Sequence, residues 1–427
     1  MGGFQKHFLI ILGTLFLVCV WYLFSEKPHI NDGEEYYAAA NNLLENNRLY
    51  AGGFDEEIDY RLYSKRTLGY PVYLIFQNTS ATITLFSSMG LVVLNFFLGI
   101  QLLSHFQTKK RGFGLFVLLF SLHIPILLHA SFPLSDLLLC AVITTSVAVF
   151  YDSKNSARSK LIALGCLWGF GLLLKPVLLP TVLFSPIVFL YFKLRKGRGA
   201  IALLLPLFIY LAGSGVNYMN TNQYEYSSIS TINLGQYNAK LTVAKAFGYD
   251  SAQEYVSRSE FAIPRTSKEY ANYRSKVNSL AKSTILDNLK SYITVHTAGS
   301  IKMLLDPGRF ELYTFFNQPT SDGSLTEMIY AQRWSDIKAV LIKRPVLFVL
   351  FIGLFLLAIA KLIGAAFSVT QFKRMHFMLI VSAYFVVIAG PVGAARFMLP
   401  VSVIYLILVC QGLGSILHFL QKSTKGK

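Results

Sequence analysis

From Leu161 to Phe192 the chain reads LIALGCLWGFGLLLKPVLLPTVLFSPIVFLYF, thirty-two residues whose single charge, Lys175, directly precedes Pro176 near the midpoint. One helix of this length would extend ~48 Å, too long for one crossing of a ~30 Å hydrocarbon core and short for two. Charge decides between the two. The segment is followed by Lys193, Arg195, Lys196 and Arg198. If 161–192 is a hairpin with its tip at Lys175-Pro176, that cluster joins the other basic connectors on one side of a membrane, as the positive-inside rule requires. If it is a single span, the cluster is thrown to the other side. The hairpin is the expected structure.

The same reading extended outward yields ten apolar spans, at 8–24, 81–104, 113–130, 132–151, 161–174, 176–192, 200–217, 345–363, 376–393 and 397–419. The fold class expected is therefore an all-α polytopic membrane protein. With a cytoplasmic start, one face receives Lys109-Lys110-Arg111, then Lys154, Arg158 and Lys160, the 193–198 cluster, Lys373-Arg374, and Lys422, Lys425 and Lys427. The run 8–24 also fits a signal peptide, but Ser25-Glu26-Lys27-Pro28 offers no small-residue cleavage site, so it is read as an uncleaved span.

Of the 427 residues, 54% are hydrophobic and 14% charged, against about 25% charged in a soluble domain. The net charge of +17 does not point to nucleic acid, because the basic residues sit between apolar runs. Cys19, Cys140, Cys166 and Cys410 all lie within apolar runs and read as packing residues. The chain divides into 1–217, membrane spans with a first outer loop at 25–80; 218–336, an outer subdomain expected to be mostly helical; and 337–427, the closing spans. Thr266-x-x-Glu269 and Ser324-x-x-Glu327 have the spacing of capping boxes in that subdomain.

Nucleotide-binding glycine loops, zinc motifs and the hydrolase elbow are absent. The first outer loop is more informative. It runs Asn31-Asp32-Gly33-Glu34-Glu35-Tyr36-Tyr37-Ala38-Ala39-Ala40-Asn41-Asn42-Leu43-Leu44. Tyr36, Ala39, Ala40, Leu43 and Leu44 recur at helical spacing, as in an amphipathic helix on a membrane surface. Asp32 stands where an N-cap would, with Glu35 three residues on to close a capping box. A carboxylate at a helix start also stays ionised and is suited to general base work. Both readings of Asp32 stand at this stage.

This loop resembles the first outer loop of GT-C class membrane glycosyltransferases, the superfamily of protein O-mannosyltransferases and lipid A aminoarabinose transferases. The shared pattern is an Asp after the first span, then Tyr, A-x-x-L and an Asn/Gly turn. Arg66-Thr67-Leu68-Gly69-Tyr70-Pro71 resembles the family's R-x-P-G-Y-P, with Leu68 in place of its first proline. Ser135-Asp136 resembles its second acidic position. Gly169 to Pro176 resembles G-l-l-x-L-x-R-P with Lys175 for Arg, and Ala395 to Pro400 resembles the R-Y/F-x-x-P motif at the start of a late span. The likeness covers about 25–180 and the last span.

The resemblance implies an inverting enzyme that moves a sugar from a polyprenyl-phosphate donor to a glycan, lipid or protein acceptor. Asp32 would be the catalytic base. Glu35, Arg66, Tyr70, Asp136, Lys175 and Arg396 would contact substrate, the cations facing the lipid phosphate. His129 and Asp136 end neighbouring spans and together could hold a divalent metal ion. Charge asymmetry suggests a bacterial inner membrane with the site on the periplasmic face, the lumen of the endoplasmic reticulum being the eukaryotic equivalent. Two alternatives remain open here: an O-antigen polymerase or ligase, and a lipid-linked sugar flippase or transporter. The first should concentrate its cations in the large outer loop. The second should carry mid-membrane charges or paired repeats.

Overall fold

The computed structural model describes residues 2–26, 28, 30–106, 110–317, 334–343 and 345–425. Among these, helices account for nearly all regular structure, and the one β feature is an isolated bridge between Tyr50 and Tyr63. The expected capping box at Ser324 and Glu327 lies outside the described residues.

The segment 161–192 does reverse. Helix Ala157–Leu174 stops, Lys175 is extended (φ −158°, ψ 133°), a 3-10 turn covers Pro176–Leu178, and helix Pro180–Lys196 follows. Pro176 has no N–H to continue the helix, and its ring drives the preceding residue out of the α region. The chain then runs up again through Leu205–Thr221. Gly165 meets Ala202 and Gly169 meets Leu205 and Ile209, so the first and third of these three elements pack directly and parallel, and the second runs back antiparallel to them.

Helices Pro345–Ser368 and Phe372–Ile388 fold back in the same way at the 3-10 turn Val369–Gln371. The first lies along Ser402–Lys425, with Gly364 on Val409 and Leu413 and with Gln371 bonded to Ser415. The second climbs away until Tyr384 reaches the carbonyl of Val177.

Five apolar stretches are long enough to cross a membrane by length and composition: 81–104, 157–174, 199–221, 352–388 (which contains the turn at 369–371) and 395–417. A bent pair, 112–121 with 124–131, makes a sixth, and 8–24, 136–151 and 176–190 are shorter apolar helices. The chain is thus a nearly all-helical, multi-pass membrane protein. The third expected span is broken rather than continuous. It bends by 59°, with His123 outside helical geometry (φ −89°, ψ 79°) just before Ile124-Pro125. Hydropathy runs through this break without a mark, but the proline does not permit a continuous ladder there.

The basic connectors gather at one end of the bundle. Arg374 donates to the carbonyl of Phe106, Phe150 stacks on Phe377 at 4.3 Å, and Gly199 lies against Arg158. Helix Asp136–Tyr151 runs from the opposite end to this one, a rise of about 24 Å. At the opposite end the segment that follows helix Leu205–Thr221 is fastened to the loop after the first helix. Ser227 and Ser228 donate to the carbonyls of Lys65 and Arg61, and Arg265 bonds the carbonyl of Glu57. The segment 239–281 has its own small core of Tyr255, Phe261, Tyr270, Tyr273 and Val277. Its long helix Ser267–Asp287 opens as the sequence implies, Thr266 Oγ1 accepting from the Glu269 N–H at 3.2 Å.

Candidate active site

Helix Asn31–Asn46 buries Tyr36, Ala39 and Ala40 as expected, but Leu44 is exposed and Asn42 is buried in its place. Asn42 Nδ2 donates to the carbonyls of Tyr50 and Gly52 at 2.8 and 2.7 Å, which ties the helix to its own loop. The N-cap position is Ile30, with no side-chain cap. Asp32 is therefore not an N-cap and Glu35 closes no capping box. Both side chains are drawn away by cations.

Asp32 bonds Arg66 through Oδ1 and Arg396 through Oδ2, the latter at 2.6 Å. Glu35 takes Lys65 at 2.7 Å and the Nε of Arg66 at 2.8 Å. Asp136 takes Lys175 at 2.6 Å and the Nε of Arg396 at 3.4 Å. Seven residues from five separate segments thus form one chain: Lys65, Glu35, Arg66, Asp32, Arg396, Asp136, Lys175. Four cations face three carboxylates, so one positive charge is left over. Asp136 is fully buried, whereas the Asp32 side chain is 31% exposed and is the most open carboxylate of the three.

Two glycines permit this convergence. A Cβ on Gly33 would stand 2.6 Å from the ring of Pro133, and one on Gly69 would stand 2.8 Å from the Leu173 backbone. The first brings Asp32 up to the head of the Asp136 helix, and the second brings the Arg66 turn beside Lys175. Gly33→Ala should push the Asp32 turn off Pro133 and destabilise the fold by about 1 kcal/mol, at the low end of overpacking costs. Thermal unfolding in detergent reads this directly.

Burial works against the charged form of Asp32. The guanidinium charges of Arg396 and Arg66, with their hydrogen bonds, outweigh it and hold the carboxyl well below the ordinary carboxylate range. Arg66 also lies over the ring of Tyr36, 5.1 Å from its centroid, and Tyr36 Oη meets Ser135 Oγ at 3.1 Å. Sequence spacing marks Tyr36 only as apolar, yet it links the first loop to the residue before Asp136. Tyr70, expected to contact substrate, is 1% exposed and packs edge-on beneath Tyr36 at 4.8 Å. It supports the network from behind.

The expected metal pair does not form. His129 is buried with Nδ1 on the carbonyl of Pro125 at 2.8 Å, and both oxygens of Asp136 are engaged by Lys175 and Arg396. No group of three or more His, Cys, Asp or Glu suited to a metal ion occurs among the described residues. Carboxylates already neutralised by arginine and lysine do not fit a divalent ion.

No protein-family model and no curated protein matches the chain. Solved structures similar to it include the archaeal oligosaccharyltransferase AglB from Archaeoglobus fulgidus, in complex with an inhibitory peptide and a dolichol-phosphate. That match has 13% identity, covers 99% of this chain and 52% of AglB, and has a TM-score of 0.43. Another is ArnT from Cupriavidus metallidurans bound to undecaprenyl phosphate, at 11% identity, 97% of this chain, 78% of ArnT and a TM-score of 0.38. Both are GT-C glycosyltransferases, the class that the motifs resemble. The chain spans about half the length of AglB. At these scores the likeness carries no argument, and the function proposed below rests on the ion-pair network.

Proposed function

We propose that this protein is an inverting glycosyltransferase that takes a sugar from a polyprenyl-phosphate-linked donor and passes it to a glycan, lipid or protein acceptor. The observation that carries the reading is the seven-residue network. It places two guanidiniums and two ammonium groups around carboxylates at one end of a membrane bundle, where a lipid phosphate would arrive. Charge-assisted contacts to phosphate are short and strong, and the planar fork of arginine suits them.

In this reading Arg66 and Arg396 are the groups that exchange partners. A donor phosphate takes over part of their charge, which loosens their hold on Asp32. The carboxylate then accepts a hydrogen bond from the acceptor hydroxyl and draws its proton as the acceptor oxygen attacks the anomeric carbon. The leaving lipid phosphate is stabilised by the same guanidiniums, and Lys175 holds Asp136 so that Arg396 keeps its place. Inversion follows from attack on the face opposite the phosphate. What favours the reading over both rivals is the convergence of Lys65, Arg66, Lys175 and Arg396 on Glu35, Asp32 and Asp136 at one end of the bundle.

The basic end of the bundle is read as cytoplasmic, which puts the network on the outer face of a bacterial inner membrane. Gln253, exposed on the helix Tyr249–Ser257, tests this. A cysteine there should react with a membrane-impermeant maleimide on intact cells. Labelling only after permeabilisation would overturn the sidedness and, with it, the use of an outer-leaflet donor.

A further inference from the structure

Glu311 is a charged residue type, 1% exposed, with neither carboxyl oxygen bonded to another residue among those described. A buried carboxylate without partners is costly, so such a group is either kept neutral or kept for use. It belongs to helix Arg309–Phe315, which is fastened to the site on the Arg396 side. Asp306 Oδ2 accepts from the N–H of Ala395 at 3.2 Å, next to Arg396, while its Oδ1 accepts from Gly308 and Arg309 at 3.0 and 3.1 Å. Gly308, at φ +87°, brings this turn onto Pro125. A Cβ there would stand 2.8 Å from the proline ring and 3.5 Å from Glu311 Oε2. The charged groups acting on Glu311 are Asp306 in the turn, Arg396, and Asp136 at the head of its helix. His123 and His129 flank the short helix Ile124–Leu128 against which it packs.

Transfer to a hydroxyl releases one proton. Asp32 is poorly suited to keep it, since two guanidiniums favour its charged form. Asp136 is committed to Lys175 and Arg396. We propose that Glu311 is the site's proton acceptor: the acceptor oxygen bonds to the anomeric carbon, the carbon–oxygen bond to phosphate breaks with its electron pair leaving on the phosphate, and the acceptor's proton, drawn off by Asp32, ends on the Glu311 carboxylate. This inference rests on the phosphate site proposed above. Burial, and after it the Asp306 carboxylate, push the Glu311 carboxyl up to about 7, with Arg396 opposing. A phosphate on Arg396 screens that opposition, so arrival of the leaving group favours proton uptake at Glu311.

The coupling can be read without knowing sugar or acceptor. Farnesyl phosphate is titrated into the purified protein at pH 7 by calorimetry in two buffers of different ionisation enthalpy. The parent should take up roughly half a proton more per phosphate bound than Glu311→Gln, the phosphate's own proton being common to both. Affinities should agree within about threefold, because Gln matches the neutral carboxyl in shape and polarity. Equal proton uptake with binding retained overturns the role of Glu311 and leaves the phosphate site standing. Absence of binding to the parent removes the phosphate site and this inference together. Infrared difference spectra of the parent alone give a check free of any variant: a protonated-carboxyl band should grow on adding farnesyl phosphate, and no growth overturns the proposal.

Discussion

Asp32→Asn is expected to cut sugar transfer by at least ~10²-fold, the usual scale of losing a general base, while binding lipid phosphate more tightly than the parent. The two effects have one cause. The network holds one excess positive charge, and Asn removes the one carboxylate that bonds both Arg66 and Arg396, leaving Glu35 on the first and Asp136 on the second. Those guanidiniums become freer for phosphate, yet nothing remains to draw the acceptor's proton. Tighter binding with slower turnover is a signature that misfolding does not produce. Little of the change should appear as stability. The helix start is capped by no side chain, so Asn neither loses nor gains a cap. Glu35→Gln should be milder in turnover, because Glu35 lies on the far side of Arg66 and touches neither Arg396 nor Asp136. The comparison needs both variants at matched expression, assayed with a labelled polyprenyl-phosphate sugar. A near-parental rate for Asp32→Asn would leave Asp32 a mere counter-ion.

Arg396→Ala is expected to have the larger effect on binding and also a structural cost. Arg396 is the only described residue that joins Asp32 to Asp136. Removing it strips one of two guanidiniums from the phosphate and leaves fully buried Asp136 with Lys175 alone. Losing one partner of a buried charge pair costs about 3–5 kcal/mol in general. The surviving 2.6 Å contact to Lys175 should hold the folding loss well under that. Lipid phosphate binding should fall by about 10²-fold, the scale of one charge-assisted contact of ~3 kcal/mol. Arg396→Lys should recover part of it, since an ammonium restores charge but cannot bridge two carboxylates as the planar fork does. Calorimetric affinities and melting temperatures of the two variants, measured together, separate binding from folding. Binding unchanged in Arg396→Ala would remove it from the phosphate site.

The motifs were legible because each one sits at the end of an apolar run, where a charge has a reason to be. Asp32, Arg66, Asp136, Lys175 and Arg396 are far apart in sequence, and a hairpin at Lys175-Pro176 is what brings Lys175 to the end that carries the others. What each motif residue touches was not legible. Asp32 and Glu35 have ideal capping-box spacing, but two guanidiniums outcompete the backbone N–H groups for their oxygens. Tyr70 carries a motif position, but spacing does not display its burial or its edge-on contact with Tyr36. His129 and Asp136 lie near each other, but the lysine and arginine that neutralise Asp136 arrive from residues 175 and 396. Glu311 carries no spacing signal at all. Its isolation is a property of burial, which a polar loop sequence does not display. The break after Ser121 was available from His123 and Pro125, but the apolar residues on either side carry the average through it.

The central claim is that the network binds a lipid phosphate. It is tested most directly by the affinity of farnesyl phosphate, set against farnesol, for the parent protein and for Arg66→Ala with Arg396→Ala combined. The parent should bind the phosphate at least ~10²-fold more tightly than the alcohol, and the double variant should lose most of that preference while still binding farnesol. Equal binding of phosphate and alcohol by the parent, or a phosphate preference that survives loss of both arginines, would contradict the account.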